Sequence, residues 1–247
     1  MVRTLKTPAK SRAQANIIQF LVKADADPNA RDADGATDAT QDIPYGEDWH
    51  SADEVNAWSV AADNKRPWRS QFRDAIAQHI ARLSPQARVL ELGSGPGYLA
   101  EHVLERCPEL ASYTLLDFSE PMLALSRLRL SRFPRAALVQ ADFRTDAWVE
   151  ALSEPFDCVV SMQAIHEARH KQHATGLYQR VHRSLGAKGS VLICDHTPLD
   201  DSPRSAALYM TESEQVQSLT AAGFVDVEVA LSISKLVLYV ARKDPRT

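Results

Sequence analysis

Long apolar runs are missing from this 247-residue chain. No stretch approaches the roughly 20 residues that a membrane-spanning helix needs, and no secretory apolar core appears. Cysteine is scarce: Cys107, Cys158 and Cys194 are odd in number and show no paired spacing. Two of them sit in the apolar runs "FDCVV" and "VLICD", where a free thiol serves as a small hydrophobe. A disulfide framework is therefore not expected, and a reducing, cytoplasmic setting is. Surplus positive charge is also missing. The net charge is −4, so electrostatics invites neither nucleic acid nor an anionic membrane surface. What is present is ordinary for a soluble globular protein, 45% hydrophobic and 24% charged residues, in a chain long enough for one large domain and an appendage. The first 23 residues carry Arg3, Lys6, Lys10, Arg12 and Lys23 and no acid, and read as a solvated tail and helix.

Three segments differ in character. Residues 1–44 begin amphipathic and turn rich in Asp and Ala; "LVKADADPNARDADGAT" resembles the end of one ankyrin repeat, but no second copy follows, and a lone repeat cannot bury its own face. Residues 45–84 read as a helical lid carrying Trp49, Trp58 and Trp68. In "PWRSQFRDAIAQHIARL", Phe72, Ile76, Ile80 and Leu83 recur at helical spacing, with Pro67 in the first turn. Residues 85–247 alternate strands and helices, with Ser119 a helix N-cap, Pro121 in that helix's first turn and Gly223 a helix stop. The strands are short and nearly continuously apolar, which predicts a doubly wound α/β sheet, mostly parallel. "VDVEVAL" and "KLVLYVA" have so short a link that only an antiparallel pair at one edge fits.

The turn "VLELGSGPGYL" chooses the ligand. Gly93, Gly95 and Gly97 permit positive φ and close approach of a ligand to the backbone. The dinucleotide pattern G-x-G-x-x-G would need glycine where Tyr98 stands, and no P-loop Lys-Ser/Thr follows. Two residues before Gly93 stands Glu91, an acid that repels pyrophosphate and suits an ammonium-bearing ligand. With these residues, the chain resembles the class I S-adenosylmethionine-dependent methyltransferases over roughly residues 85–243. That resemblance implies a Rossmann-like, seven-stranded, mostly parallel sheet with an antiparallel last strand, and S-adenosylmethionine as cofactor with S-adenosylhomocysteine as its product. It also assigns residues. "ELGSGPG", including Ser94, would hold the methionine end, with Glu91 toward the amino group. Asp117 of "LLDFS" would accept from both ribose hydroxyls. Phe118 and Met122 would flank the adenine. Asp142 of "QADF" would accept from the adenine amino group while Phe143 offers its backbone N–H, and Gln163 of "SMQAIHE" would lie along the cofactor.

One motif pulls elsewhere. His166, Glu167 and His170 spell H-E-x-x-H, which on a helix binds zinc and marks a metallopeptidase. The extended form needs Gly at 173 and His at 176, whereas the chain has His173 and Gly176, and no acid-bearing helix downstream offers a third ligand. No metal site is expected. In the methyltransferase reading, His166 falls where the fourth strand hands over to its helix, and is the candidate general base, with Glu167 to orient it. A His that only binds or supports is the competing reading, because positioning alone can drive methyl transfer. His196 reads as a loop residue. The link 196–211 is short, leaving little extra cap. The expected activity is therefore O- or N-methylation of a small-molecule acceptor, without nucleic acid or membrane as partner. "SMQA" also lacks the D/N/S-P-P-Y/F of base-amine methyltransferases. A nucleic-acid or protein methyltransferase and a non-catalytic cofactor-binding regulator or scaffold are the alternatives.

Overall fold

Seven runs pair into one sheet: β1 (Arg88–Leu92), β2 (Ser112–Asp117), β3 (Ala136–Gln140), β4 (Phe156–Met162), β5 (Leu185–His196), β6 (Phe224–Ile233) and β7 (Leu236–Lys243). Among the described residues, eight α-helices accompany them: α1 (Ala52–Lys65), α2 (Arg69–Ile80), α3 (Tyr98–Arg106), α4 (Glu120–Arg129), α5 (Ala147–Ala151), α6 (Ala174–Ser184), α7 (Pro203–Leu208) and α8 (Glu212–Ala221). This computed structural model describes residues 41–65, 67–152, 154–244 and 246. The basic opening stretch and the ankyrin-like turn lie outside the described residues.

The strand order is β3-β2-β1-β4-β5-β7-β6. The first five strands are parallel, and β7 runs antiparallel to both its neighbours, β5 and β6. The expected doubly wound sheet with an antiparallel last strand is therefore present. Its two faces are covered by separate apolar clusters. One gathers Trp148, Phe156, Tyr178 and Phe224; the other gathers Phe72, Ile76, Ile80 and Tyr113. The strand order reverses between β1 and β4, so the crevice at the C-terminal ends of these strands is where a ligand fits in such a sheet.

Local chemistry sets the helix ends. The Ser119 hydroxyl accepts from the Met122 N–H at 3.1 Å and starts α4, as expected. Thr211 and Glu214 form a reciprocal capping box on α8, and Gly223 follows that helix with φ +97°. Two expectations need correction. Residues 45–51 are not helical, because Pro44, Gly46 and the Asp48–His50 turn keep the chain irregular until α1 begins at Ala52. Pro67 stands before α2, whose N-cap is Trp68. Among the described residues, no helix is long and apolar enough to cross a membrane. All three cysteines are buried and free of disulfides.

Candidate active site

The glycine turn after β1 is built around backbone conformations that side chains resist. Gly93, Gly95 and Gly97 have φ of +61°, +54° and +80°. A Cβ on Gly93 would meet the Ala164 Cβ at 2.4 Å, so this position tolerates no side chain. The Asp117 carboxylate at the end of β2 accepts from the Gly95 N–H at 2.8 Å and the Ser119 N–H at 2.9 Å, tying the ends of β1 and β2 together. Burial lifts the Asp117 carboxyl to about 6 against those two bonds. Glu91 is 2% exposed, and its carboxyl accepts from the Tyr113 hydroxyl at 2.8 Å. Burial pushes it up to about 8; the Tyr113 bond opposes the rise and nearby Asp117 adds to it. A small pocket beneath the turn is lined by Glu91, Ser94, Arg69 and Arg73. It shares Gly93, Gly95, Trp58 and Gln163 with a larger cavity of about 340 Å³.

The larger cavity holds Asp117, Phe118, Met122 and Phe143 at one end and His166, His196 and Tyr209 at the other. An irregular strap, residues 41–51, borders it through Gly46, Glu47 and Trp49. The Trp49 carbonyl accepts from the Ser119 hydroxyl at 2.6 Å, and Tyr45 and His50 set their rings against Phe118 at 6.0 and 5.6 Å. Trp58 of α1 meets Trp49 edge-on at 5.6 Å. The far end of the strap is held by Arg169. Its guanidinium donates to the Ile43 carbonyl at 2.7 Å, the Pro44 carbonyl at 2.5 Å and a Glu167 carboxylate oxygen at 2.7 Å.

His166 lies in a 3-10 turn, Ile165–Ala168, directly after β4. Its Nδ1 faces the Asp195 carboxylate at 2.7 Å, and its backbone N–H donates to the other oxygen of the same carboxylate at 2.9 Å. An ionised carboxylate only accepts, so Nδ1 carries the proton and Nε2 is the remaining ring nitrogen. Burial pulls the imidazole pKa down, but the charge and hydrogen bond of Asp195 outweigh it and the net movement is upward. Asp195, which burial alone would raise, is drawn below the usual carboxylate range by His166. Beside this pair, the Gln163 side-chain amide meets His196 Nε2 at 2.8 Å, and Tyr209 packs 5.2 Å from the His166 ring.

Several sequence expectations shift here. His166 and His170 share no α-helix: Arg169 takes φ +68° between them, and His170 turns its ring to accept from the Gln172 N–H. Among the described residues, no three His, Cys, Asp or Glu side chains gather where a metal ion could be shared. The nearer orienting partner of His166 is Asp195, since the Glu167 carboxylate stands 3.5 Å from Nε2. Asp142 does not line the cavity; one oxygen of its carboxylate accepts from two nitrogens of the Arg144 guanidinium at 2.9 and 2.7 Å. Gly97 also lies off both pockets, N-capping α3. Trp68 lies away from the cavity as well, packed against the Phe72 cluster. His196 ends β5 and lines the cavity. The link 197–211 contains α7 and contributes Leu199, Asp200, Arg204, Ser205, Leu208 and Tyr209 to the wall, so it is a substantial cap. Arg69, Arg73, Asp195 and Tyr209 were not singled out by sequence. Asp195 had a visible signal: it follows the apolar run of β5, which a parallel sheet sets beside β4.

The sheet order, the antiparallel β7, the acid-glycine turn after β1 and the acid closing β2 together define a class I methyltransferase domain. Residues 89–189, within a class I S-adenosylmethionine-dependent methyltransferase fold, match the family model described as "Methyltransferase domain". Over 95 residues the chain is 37% identical to a malonyl-[acyl-carrier protein] O-methyltransferase of Magnetococcus marinus, covering 37% of this chain and 33% of that protein. Over 145 residues it is 30% identical to a highly reducing polyketide synthase of Emericella nidulans, covering 54% of this chain and 5% of that protein. The chain thus spans a third or less of these curated relatives. Human N-acetylserotonin methyltransferase, solved in complex with SAM, superposes with a TM-score of 0.62 at 18% identity, over 79% of this chain and 57% of that one; this likeness is one of fold.

Proposed function

We propose that the protein transfers the methyl group of S-adenosylmethionine to a small-molecule acceptor through a weakly acidic hydroxyl. The residues present fit the cofactor. Asp117 offers a carboxylate at the end of β2, and Phe118, Met122 and Phe143 supply an apolar slot for the adenine. Beneath the turn, Glu91 suits an ammonium group, while Arg69 and Arg73 suit a carboxylate, a pairing that matches the amino-acid end of the ligand. When bound, the sulfonium supplies an electrophilic methyl, so the protein's task is to align the acceptor, exclude water and manage one proton.

The observation that carries the reading is the His166–Asp195 pair on the wall of the same cavity. An amine acceptor attacks as its neutral form and sheds its extra proton afterward. A weakly acidic hydroxyl must lose its proton as the new O–C bond forms, and this calls for a base at the site. His166 takes that proton on Nε2, while Asp195 holds the ring and stabilises the imidazolium. Trp49, Trp58 and Tyr209 bound the acceptor space, with the strap and α1 as its cover. Asp142 and Gly97 act by support: Asp142 fixes Arg144, and Gly97 sets the start of α3. Incubation of the protein with methyl-labelled cofactor and a panel of phenols, amines and carboxylates tests the reading. Label in a phenol supports it; label confined to amines overturns it.

A further inference from the structure

Nδ1 of His166 is committed to Asp195, so the acceptor proton can reach the ring only at Nε2. Beside that nitrogen stands Glu167, with one carboxylate oxygen at 3.5 Å. A small movement would bring this oxygen into a charge-assisted hydrogen bond with a protonated Nε2. The imidazolium would then sit between two carboxylates and keep its proton, and Nε2 would be closed to the acceptor. The other oxygen of Glu167 is held away by Arg169 at 2.7 Å.

Arg169 is unusually well fixed for this. It is 5% exposed and occupies a left-handed backbone conformation. Each part of its guanidinium has an acceptor: Nε the Ile43 carbonyl, one terminal nitrogen the Pro44 carbonyl, the other Glu167. Its own carbonyl accepts from the Ile43 N–H at 2.8 Å, and the Tyr45 ring lies 4.5 Å from the guanidinium carbon. The strap, 126 residues away in sequence, therefore holds Arg169, Arg169 holds Glu167, and Glu167 stands beside the reacting nitrogen.

We propose that Arg169 is a positioning residue that, braced by the strap carbonyls of Ile43 and Pro44, draws the Glu167 carboxylate off Nε2 of His166 and keeps that nitrogen open to the acceptor proton. This rests on the reading of His166 as the base. The other groups facing or near the imidazole are Asp195 and His196 of β5 and Tyr209 after α7, with His170 and Lys171 lining a small void behind it.

The test follows the His166 ring by NMR titration of the full chain bound to S-adenosylhomocysteine. In Arg169→Gln the titration midpoint rises by about one pH unit, in Glu167→Gln it falls, and the double variant behaves as Glu167→Gln does. An unmoved midpoint in Arg169→Gln, or a double variant that keeps the upward shift, overturns the proposal. Should Arg169→Gln fail to fold, Arg169→Lys decides. It keeps the charge but cannot span the strap and Glu167 together, so a partial rise is expected, and an unmoved midpoint refutes the brace. The base reading fails separately: His166→Ala would then turn over at the parental rate even where the midpoints move as stated.

Discussion

Both ends of the cavity bury carboxylates, yet they hold them in opposite states. At the glycine turn, Glu91 and Asp117 have no ion-pair partner among the described residues, and burial drives both upward, to about 8 and about 6. At the other end, Asp195 is drawn down by His166, and Glu167 is paired with Arg169. On the proposed reading, the first end receives a cation from outside. The second has its charges already matched and needs only to exchange a proton. This contrast suits the proposed methylation of a hydroxyl: a positively charged donor on one side and a proton acceptor on the other.

Breaking each end separately sharpens the contrast. The largest effect belongs to the base: His166→Ala lowers turnover by about 10²–10⁴-fold while S-adenosylhomocysteine affinity stays within twofold, as steady-state kinetics and calorimetry would show. Equal losses in both would erase the distinction between the two ends. Gly93→Val comes next. Its side chain cannot fit against Ala164 or hold positive φ, so cofactor affinity should drop by about 100-fold, with a loss of about 2–4 kcal/mol in stability by denaturant unfolding. Asp117→Asn removes the charge but not the shape, and should weaken the cofactor by about tenfold.

A smaller effect is read in pH. Glu91 is largely protonated below about 8 in the free protein, and an incoming ammonium favours its ionised form. Binding therefore releases a proton below that pH, and cofactor affinity tightens as pH rises toward about 8, then levels. Calorimetry in buffers of different ionisation enthalpy should detect the released proton, and Glu91→Gln should abolish both the release and the slope. A slope that survives in Glu91→Gln assigns the proton elsewhere.

The two ends also differed in how far the sequence disclosed them. Glu91, the three glycines, Asp117, Phe118 and Met122 fall within 32 residues, in consecutive strand-turn-helix units whose spacing is itself the signal. The sheet was legible for the same reason, since apolar runs and turn residues are local. The acceptor end joins residues far apart: His166 meets Asp195 across 29 positions and Arg169 meets Ile43 across 126. No periodicity announces such contacts. Glu167 looked like the orienting acid because it is adjacent in sequence, but the parallel pairing of Met162 with Cys194 sets the end of β5 beside His166, and Asp195 is one residue beyond. Trp68 misled in the opposite way. It lies four residues before Phe72, on the stripe continued by Ile76 and Ile80, and that spacing already marked it for the core.

The division of labour between the ends is tested most directly by titrating S-adenosylhomocysteine into the parental chain, His166→Ala and Asp117→Asn by calorimetry at one pH. One site per chain is expected, with the same affinity in the parent and His166→Ala and about tenfold weaker binding in Asp117→Asn. No binding by the parent, or an affinity lost as fully in His166→Ala as in Asp117→Asn, would contradict it.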